Sequence, residues 1–236
     1  MTTQNEHSIT ILLIGSGRLA KHLLYWNSLL NNPNQILIWD RSQAPELLIQ
    51  HLNQSKLVWL AISDSAIIPF FEKNLTACNQ QVIHFSGVLH DSRMISAHPL
   101  MSFPTELLAA PIYNEIYFAL TGTATLNLAL PGFLNSFFTL SAEEKPLYHA
   151  LCVVAGNFPQ LLWLEVEKKF TDLQVPKKAF HIYLHQILNN YLLLKEKSLS
   201  GPIIRKDFLT LEKNQLALAG SKLKSIYQSF VREFTT

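Results

Sequence analysis

Two cysteines, Cys78 and Cys152, are all that the 236 residues contain. No disulfide framework is available, and a reducing, cytoplasmic compartment is the natural setting. Glycine is scarce too, at eight residues against a usual share of about 7%. Where glycines cluster, a backbone task is expected. Long apolar runs are missing. The N-terminal run at 9–14 is too short for a signal-peptide core and follows acidic Glu6. No stretch approaches the roughly 18 apolar residues of a membrane span. An excess of one charge is also missing: 19 basic and 17 acidic residues leave no electrostatic footprint for nucleic acid. Neither nucleic acid nor a membrane is therefore an expected partner. What remains is an apolar chain, 48% hydrophobic, long enough to bury a core without metal or disulfide staples.

The pattern divides near residue 122. Before it, short apolar runs at 9–14, 35–39, 57–62, 81–85 and 116–120 alternate with amphipathic stretches such as 19–30. Nearly continuous apolar strands fit a parallel sheet covered on both faces. After it come long helical patterns. Ser141-Ala-Glu-Glu144 reads as a capping box. The helix it opens is expected to run to about 172, tolerating Pro146 and kinking or splitting at Pro159. Further helices are expected over 177–197, 207–218 and 221–234. The fold class is α/β: a doubly wound Rossmann domain over 1–122, then an all-helical domain over 123–236.

Gly15-Ser16-Gly17-Arg18-Leu19-Ala20 is a G-x-G-x-x-A sequence between an expected strand and an expected helix. Gly15 permits the tight turn, Gly17 the approach of a pyrophosphate, and Ala20 close helix–strand packing. Amide N–H groups at the helix start then face the phosphates. Asp40 follows 20 residues after Ala20, where an acid holds a ribose 2′-hydroxyl. The plain alternative is an ordinary strand-to-helix turn. A methyltransferase would want a third glycine where Leu19 stands. The cofactor is NAD or NADP: Asp40 repels a 2′-phosphate, whereas Arg41-Ser42 could cradle one, and the balance leans to NAD.

Three more segments fall at the ends of such strands, where ligands bind in open α/β sheets. Ile62-Ser63-Asp64 is expected beside the nicotinamide ribose. His84-Phe-Ser86-Gly87 and Ala97-His98-Pro99-Leu100 carry imidazoles able to relay a proton and a hydroxyl able to hold a carbonyl or carboxylate. Against this, His84 fits a satisfied core residue, and His98 fits a residue that fixes a turn. No G-x-S-x-G elbow suggests a hydrolase. The nine histidines show no metal-ligand spacing, so no metal is expected.

Taken with His98-Pro-Leu-Met-Ser-Phe103, Tyr148-His149-Ala150, Asn157 and Gly201-Pro-Ile-Ile-Arg-Lys-Asp207, these segments resemble the Rossmann-like proteins with a DUF2520 C-terminal domain. That group resembles pyrroline-5-carboxylate reductase, ketopantoate reductase and 6-phosphogluconate dehydrogenase. The resemblance implies an NAD(P)-dependent oxidoreductase that moves a hydride between nicotinamide and a small keto, imino or hydroxy acid. It points to Ser86 and His98 as first candidates for the chemistry, with Asn157 third. On a regular helix His149 and Asn157 stand within about 80° of each other. A buried Asn157 would need partners, although capping the break before Pro159 would serve as well. No lysine stands where ketopantoate reductase has one, and Lys206 replaces the family's more frequent glycine. A non-catalytic dinucleotide redox sensor is the alternative. Apolar residues almost all round 147–164 and 183–194 imply a homodimer through the helical domain.

Overall fold

Strand formation follows the apolar runs. In β1 (Thr10–Ile14), Ile11 and Leu13 face one core cluster while Leu12 and Ile14 face the other. The remaining strands are β2 (Gln35–Trp39), β3 (Leu57–Leu60), β4 (Gln81–His84), β5 (Ile95–Pro99), β6 (Phe118–Thr121) and β7 (Phe137–Thr139). They form one sheet in the order β2-β1-β3-β4-β5-β6-β7. The first five run parallel, β6 is antiparallel to β5, and β7 is parallel to β6. This computed structural model describes residues 8–235.

The helices are α1 (Arg18–Ser28), α2 (Pro45–Gln54), α3 (Asp64–Asn74), α4 (Ala110–Glu115), α5 (Leu126–Ala129), α6 (Lys145–Cys152), α7 (Phe158–Asp172), α8 (Lys177–Leu194), α9 (Phe208–Ala217) and α10 (Leu223–Phe234). On one face of the sheet Trp26 packs against Tyr113, Phe118 and Phe133, with ring centroids 5.1–5.4 Å apart. The Trp59 indole donates to the Ala129 carbonyl, so that large ring is buried without an orphaned N–H. On the other face Leu48, Ile67 and Phe71 cover Leu12, Val58 and Val82. The two clusters make the sheet a middle layer, as expected of an α/β fold.

The chain divides into two compact units, the first ending at Val153 and the second beginning at Val154. The expected boundary after residue 122 falls inside the first unit. The reason is β7, a strand too short and too exposed to stand out in the sequence, which pairs with β6 and draws the following segment onto the sheet. In the second unit Phe180 and Leu211 are the buried hydrophobic residues among those described. Phe170 packs edge-on against Phe180 at 5.2 Å. Lys206 takes a φ of 54°, a conformation in which glycine has no steric cost.

Pro159 does not split the helix. One 28-residue helix runs Lys145–Asp172, with a π-turn at Val153–Asn157 just before the proline. Pro159 offers no N–H to the carbonyl four residues earlier, and the wider turn absorbs that loss without a break. By length and composition alone this helix could cross a membrane, which the sequence, lacking any unbroken apolar run, does not suggest.

Candidate functional site in the first unit

The order of strands reverses between β1 and β3, the switch point where open α/β sheets bind ligands. Gly15 lies there with φ +119°, and a Cβ on it would meet the Ala61 carbonyl oxygen at 2.4 Å. Only glycine fits. Gly17 is different, with an ordinary φ of −73° and, among the described residues, nothing within 4 Å of where its Cβ would be. Neither backbone nor packing within the chain requires a glycine at 17, so the open space is what its missing side chain provides. Gly17 N-caps α1, and no side chain caps the first turn. Its N–H groups at Arg18 and Leu19 belong to the positive end of a helix. Ser16, Gly17 and Arg18 are exposed, whereas Ala20 is buried against the core, as the motif requires.

Beyond β3, Ile62 is half-buried, and exposed Ser63 N-caps α3 without a side-chain bond. Asp64 begins that helix, where its charge suits the helix dipole. Asp40 follows β2, but its carboxylate closes its own turn. Oδ1 accepts from the Ser42 hydroxyl at 2.5 Å and from the Ser42 N–H at 2.9 Å. These bonds, with one from Ser16, hold the carboxyl below the usual range. Arg41 and Ser42 are exposed beside it. The residues of this edge fit a nicotinamide dinucleotide.

A second group of polar residues lies along β4, β5 and α6. Ile95 and Ala97 belong to one core cluster, so Ser96 and His98 face the opposite side, with His84 registered opposite Ser96. Onto that side α6 presents Lys145, Tyr148, His149 and Cys152, spaced i, i+3, i+4 and i+7. The helix is turned against its own amphipathicity: Lys145 is 1% exposed, while Leu147 and Leu151 are 66% and 58% exposed. The reciprocal bonds of the expected box form, the Ser141 N–H donating to Glu144 Oε2 at 2.8 Å and the Glu144 N–H to Ser141 Oγ at 3.3 Å, but they close the turn that leads into α6, which begins at Lys145.

Lys145 Nζ donates to Ser96 Oγ at 2.5 Å and to the Ser86 carbonyl at 3.1 Å. The Ser96 hydroxyl donates to the same carbonyl at 3.1 Å. His98 Nδ1 shares a 2.8 Å hydrogen bond with the Tyr148 hydroxyl. The ring of His149 stands edge-on to that of His98. Burial, then Lys145, then His149 push His98 down to about 4. Burial lowers Lys145 to about 8, offset in part by Asp64. The Tyr148 phenol is pushed up by burial and by Cys152. At neutral pH the imidazole and phenol are therefore neutral, and the lysine is mostly cationic.

Two of the expected roles change. Ser86 is 3% exposed, and its hydroxyl accepts the Leu89 N–H at 3.1 Å. It shapes its own turn, and its carbonyl is the atom that meets the lysine. Asn157 is exposed, in the second unit, and makes no side-chain cap for α7. The π-turn between His149 and Asn157 winds more slowly than an α-helix, so the angle inferred from regular geometry does not hold. His84 is fully buried; its Nδ1 accepts the Ser86 N–H at 3.3 Å, while Nε2 has no partner among the described residues. By contrast His22, also buried, is satisfied by Tyr113 and the Pro104 carbonyl. Lys145 and Ser96 escaped the reading of the sequence. The available signal for the lysine is a cation in the first turn of a helix, the end that disfavours positive charge.

A family model described as "Domain of unknown function (DUF2520)" matches residues 116–234. No curated protein matches the chain. Among solved structures, a Bacteroides fragilis protein provisionally designated an NADP oxidoreductase is 16% identical, with TM-score 0.76, covering 97% of this chain and 98% of its own. A 1-pyrroline-5-carboxylate reductase from Streptococcus pyogenes is 19% identical, with TM-score 0.58 and 97% of each chain covered. A Plasmodium falciparum pyrroline carboxylate reductase with NADP bound is 10% identical, with TM-score 0.56, covering 97% of this chain and 100% of its own. At these identities the likeness is one of fold.

Proposed function

The chain belongs to the DUF2520 family, and from that premise and the geometry of its first unit we propose a nicotinamide-dependent oxidoreductase acting on a small keto, imino or hydroxy acid. The observation that carries the reading is the open space at Gly17, beside an uncapped helix start at the sheet's switch point. The lean toward NAD finds no support, and we assign NADP. Asp40 is engaged with Ser42 and Ser16, while the exposed Arg41 guanidinium suits a 2′-phosphate. The structural neighbours named for NADP agree with this choice.

A bound nicotinamide supplies or takes the hydride. The chain's part is to orient it and to handle the proton. His98 is the group for that proton: half-buried, neutral, and tied at Nδ1 to Tyr148. In the oxidative direction the neutral ring accepts a proton from the substrate. In the reductive direction an anion nearby first raises the imidazole's pKa, and the cation then donates.

The test is binding, then turnover. Calorimetry with NADPH and NADH is expected to show NADPH preferred. A panel of 2-oxo, cyclic imino and 2-hydroxy acids, read by nicotinamide absorbance, is expected to give turnover that His98→Asn reduces by roughly 10²–10⁴-fold. Cofactor affinity is expected to survive that substitution. Tight NADPH binding with no turnover across the panel would favour a redox sensor instead.

A further inference from the structure

Lys145 carries a charge in a place that nothing about folding recommends. It is 1% exposed, in the first turn of α6, without a carboxylate in ion-pair distance among the described residues. Burying an ammonium without a counter-ion is costly. An apolar side chain of similar length would fill the space without that cost. What a hydrocarbon cannot do is hold two oxygens. The ammonium, the Ser96 hydroxyl and the Ser86 carbonyl close a three-membered ring of hydrogen bonds, which fastens the turn after β4 to strand β5.

That turn bears on the imidazoles. A Cβ on Gly87 would stand 2.7 Å from His149 Cδ2 and 3.1 Å from His98 Nε2 and Cδ2. The Gly87 backbone is thus a wall against which both rings rest, and its position follows the carbonyl one residue earlier. We infer that Lys145 is a positioning residue for His98: it locks the Ser86–Gly87 turn to β5, and the turn holds the rings of His98 and His149. The inference rests on His98 being the proton-transfer group. Tyr148 and His149 lie on the same helix as Lys145, one turn later, so one anchor sets all three side chains against the sheet.

The charge supports this placement. Lys145 contributes to the depression of both His98 and His84. The other titratable groups around His98 are Tyr148 and His149 from α6, with Cys152 acting through Tyr148. His90 and Asp91 act on His84, and Asp64 on Lys145.

The experiment needs no substrate. Lys145→Met keeps the length and apolar stem and removes the donor. Histidine ring resonances and amide exchange are followed by NMR in the full-length protein. The expected result is a rise of at least half a pH unit in the His98 midpoint, with Ser86 amide exchange at least tenfold faster. Ser96→Ala opens the same ring but keeps the charge, so faster Ser86 exchange and displaced His98 and His149 ring resonances are expected, with a smaller change in the His98 midpoint than in Lys145→Met. If Lys145→Met does not fold, Ser96→Ala decides by its Ser86 exchange. A folded Lys145→Met with both readouts unmoved, or Ser96→Ala with unchanged exchange, overturns the proposal. Absence of NADPH binding by the unmodified protein would overturn the oxidoreductase reading and leave these results standing.

Discussion

Gly15 and Gly17 stand two residues apart and are glycine for different reasons. At Gly15 a side chain meets a backbone carbonyl that cannot move aside, on a φ that L-residues rarely adopt. Gly15→Ala is expected to cost about 2–3 kcal/mol in urea denaturation, or to prevent folding. At Gly17 an added Cβ would meet nothing within 4 Å among the described residues. Gly17→Val is expected to unfold within about 0.5 kcal/mol of the parent and to lose NADPH binding by calorimetry. A folded Gly17→Val with full affinity would remove the dinucleotide site from this loop. The two histidines make a second residue-level prediction. His98 and His84 are held near 4 and 3, below the ordinary 6.5. As pH falls from 6.5 toward 4, the unfolded chain takes up protons that the folded one refuses. Stability is therefore full above pH 6.5 and declines through that window, by an amount on the order of a few kcal/mol. Thermal melts at closely spaced pH values are expected to show the decline, with a shallower slope in His98→Asn.

Among the elements α6 is the unusual one, because its polar stripe faces the sheet and its apolar stripe does not. An amphipathic helix normally does the reverse. Its start is held by the Ser141–Glu144 box, which sets where Lys145 enters the sheet face. Ser141→Ala is expected to cost about 1 kcal/mol, read by chemical denaturation. Within α6 and on through α7, the apolar residues at 147, 151, 154, 158 and 161 are 50–66% exposed. Apolar side chains left uncovered in this way form the seam of a contact.

At the scale of the whole molecule that seam joins a larger deficit. The second unit buries two hydrophobic side chains among its described residues, while Ile182, Tyr183, Ile187, Leu188, Tyr191 and Leu192 of α8 are each 47–60% exposed. A helical unit with so small a core does not account for its own order. We propose that a second copy of the chain covers these faces. Light scattering at micromolar concentration is expected to give the mass of a dimer, and Leu161→Glu to halve it. A monomeric mass for the unmodified protein would refute the dimer.

Local pattern determined much of this. Strand β2 is legible, because the unbroken apolar run at 36–39 between polar flanks has few other uses. The Gly15–Ala20 turn is legible because its chemistry is contained in six consecutive residues. The capping box needs only four, and it formed as the spacing predicts. What the tertiary structure alone decided is whatever depends on which side of an element faces inward. The three-residue β7 is a strand because β6 lies beside it. Asn157 is exposed at the end of a π-turn, a local winding that no spacing rule announces. Lys145 is buried because β4 and β5, some 50 residues earlier in the chain, bring a carbonyl and a hydroxyl to its ammonium. A cation in the first turn of a helix marks the lysine as unusual but does not name its partners, which are oxygens that any neighbouring backbone or serine could offer; only their meeting in space does that.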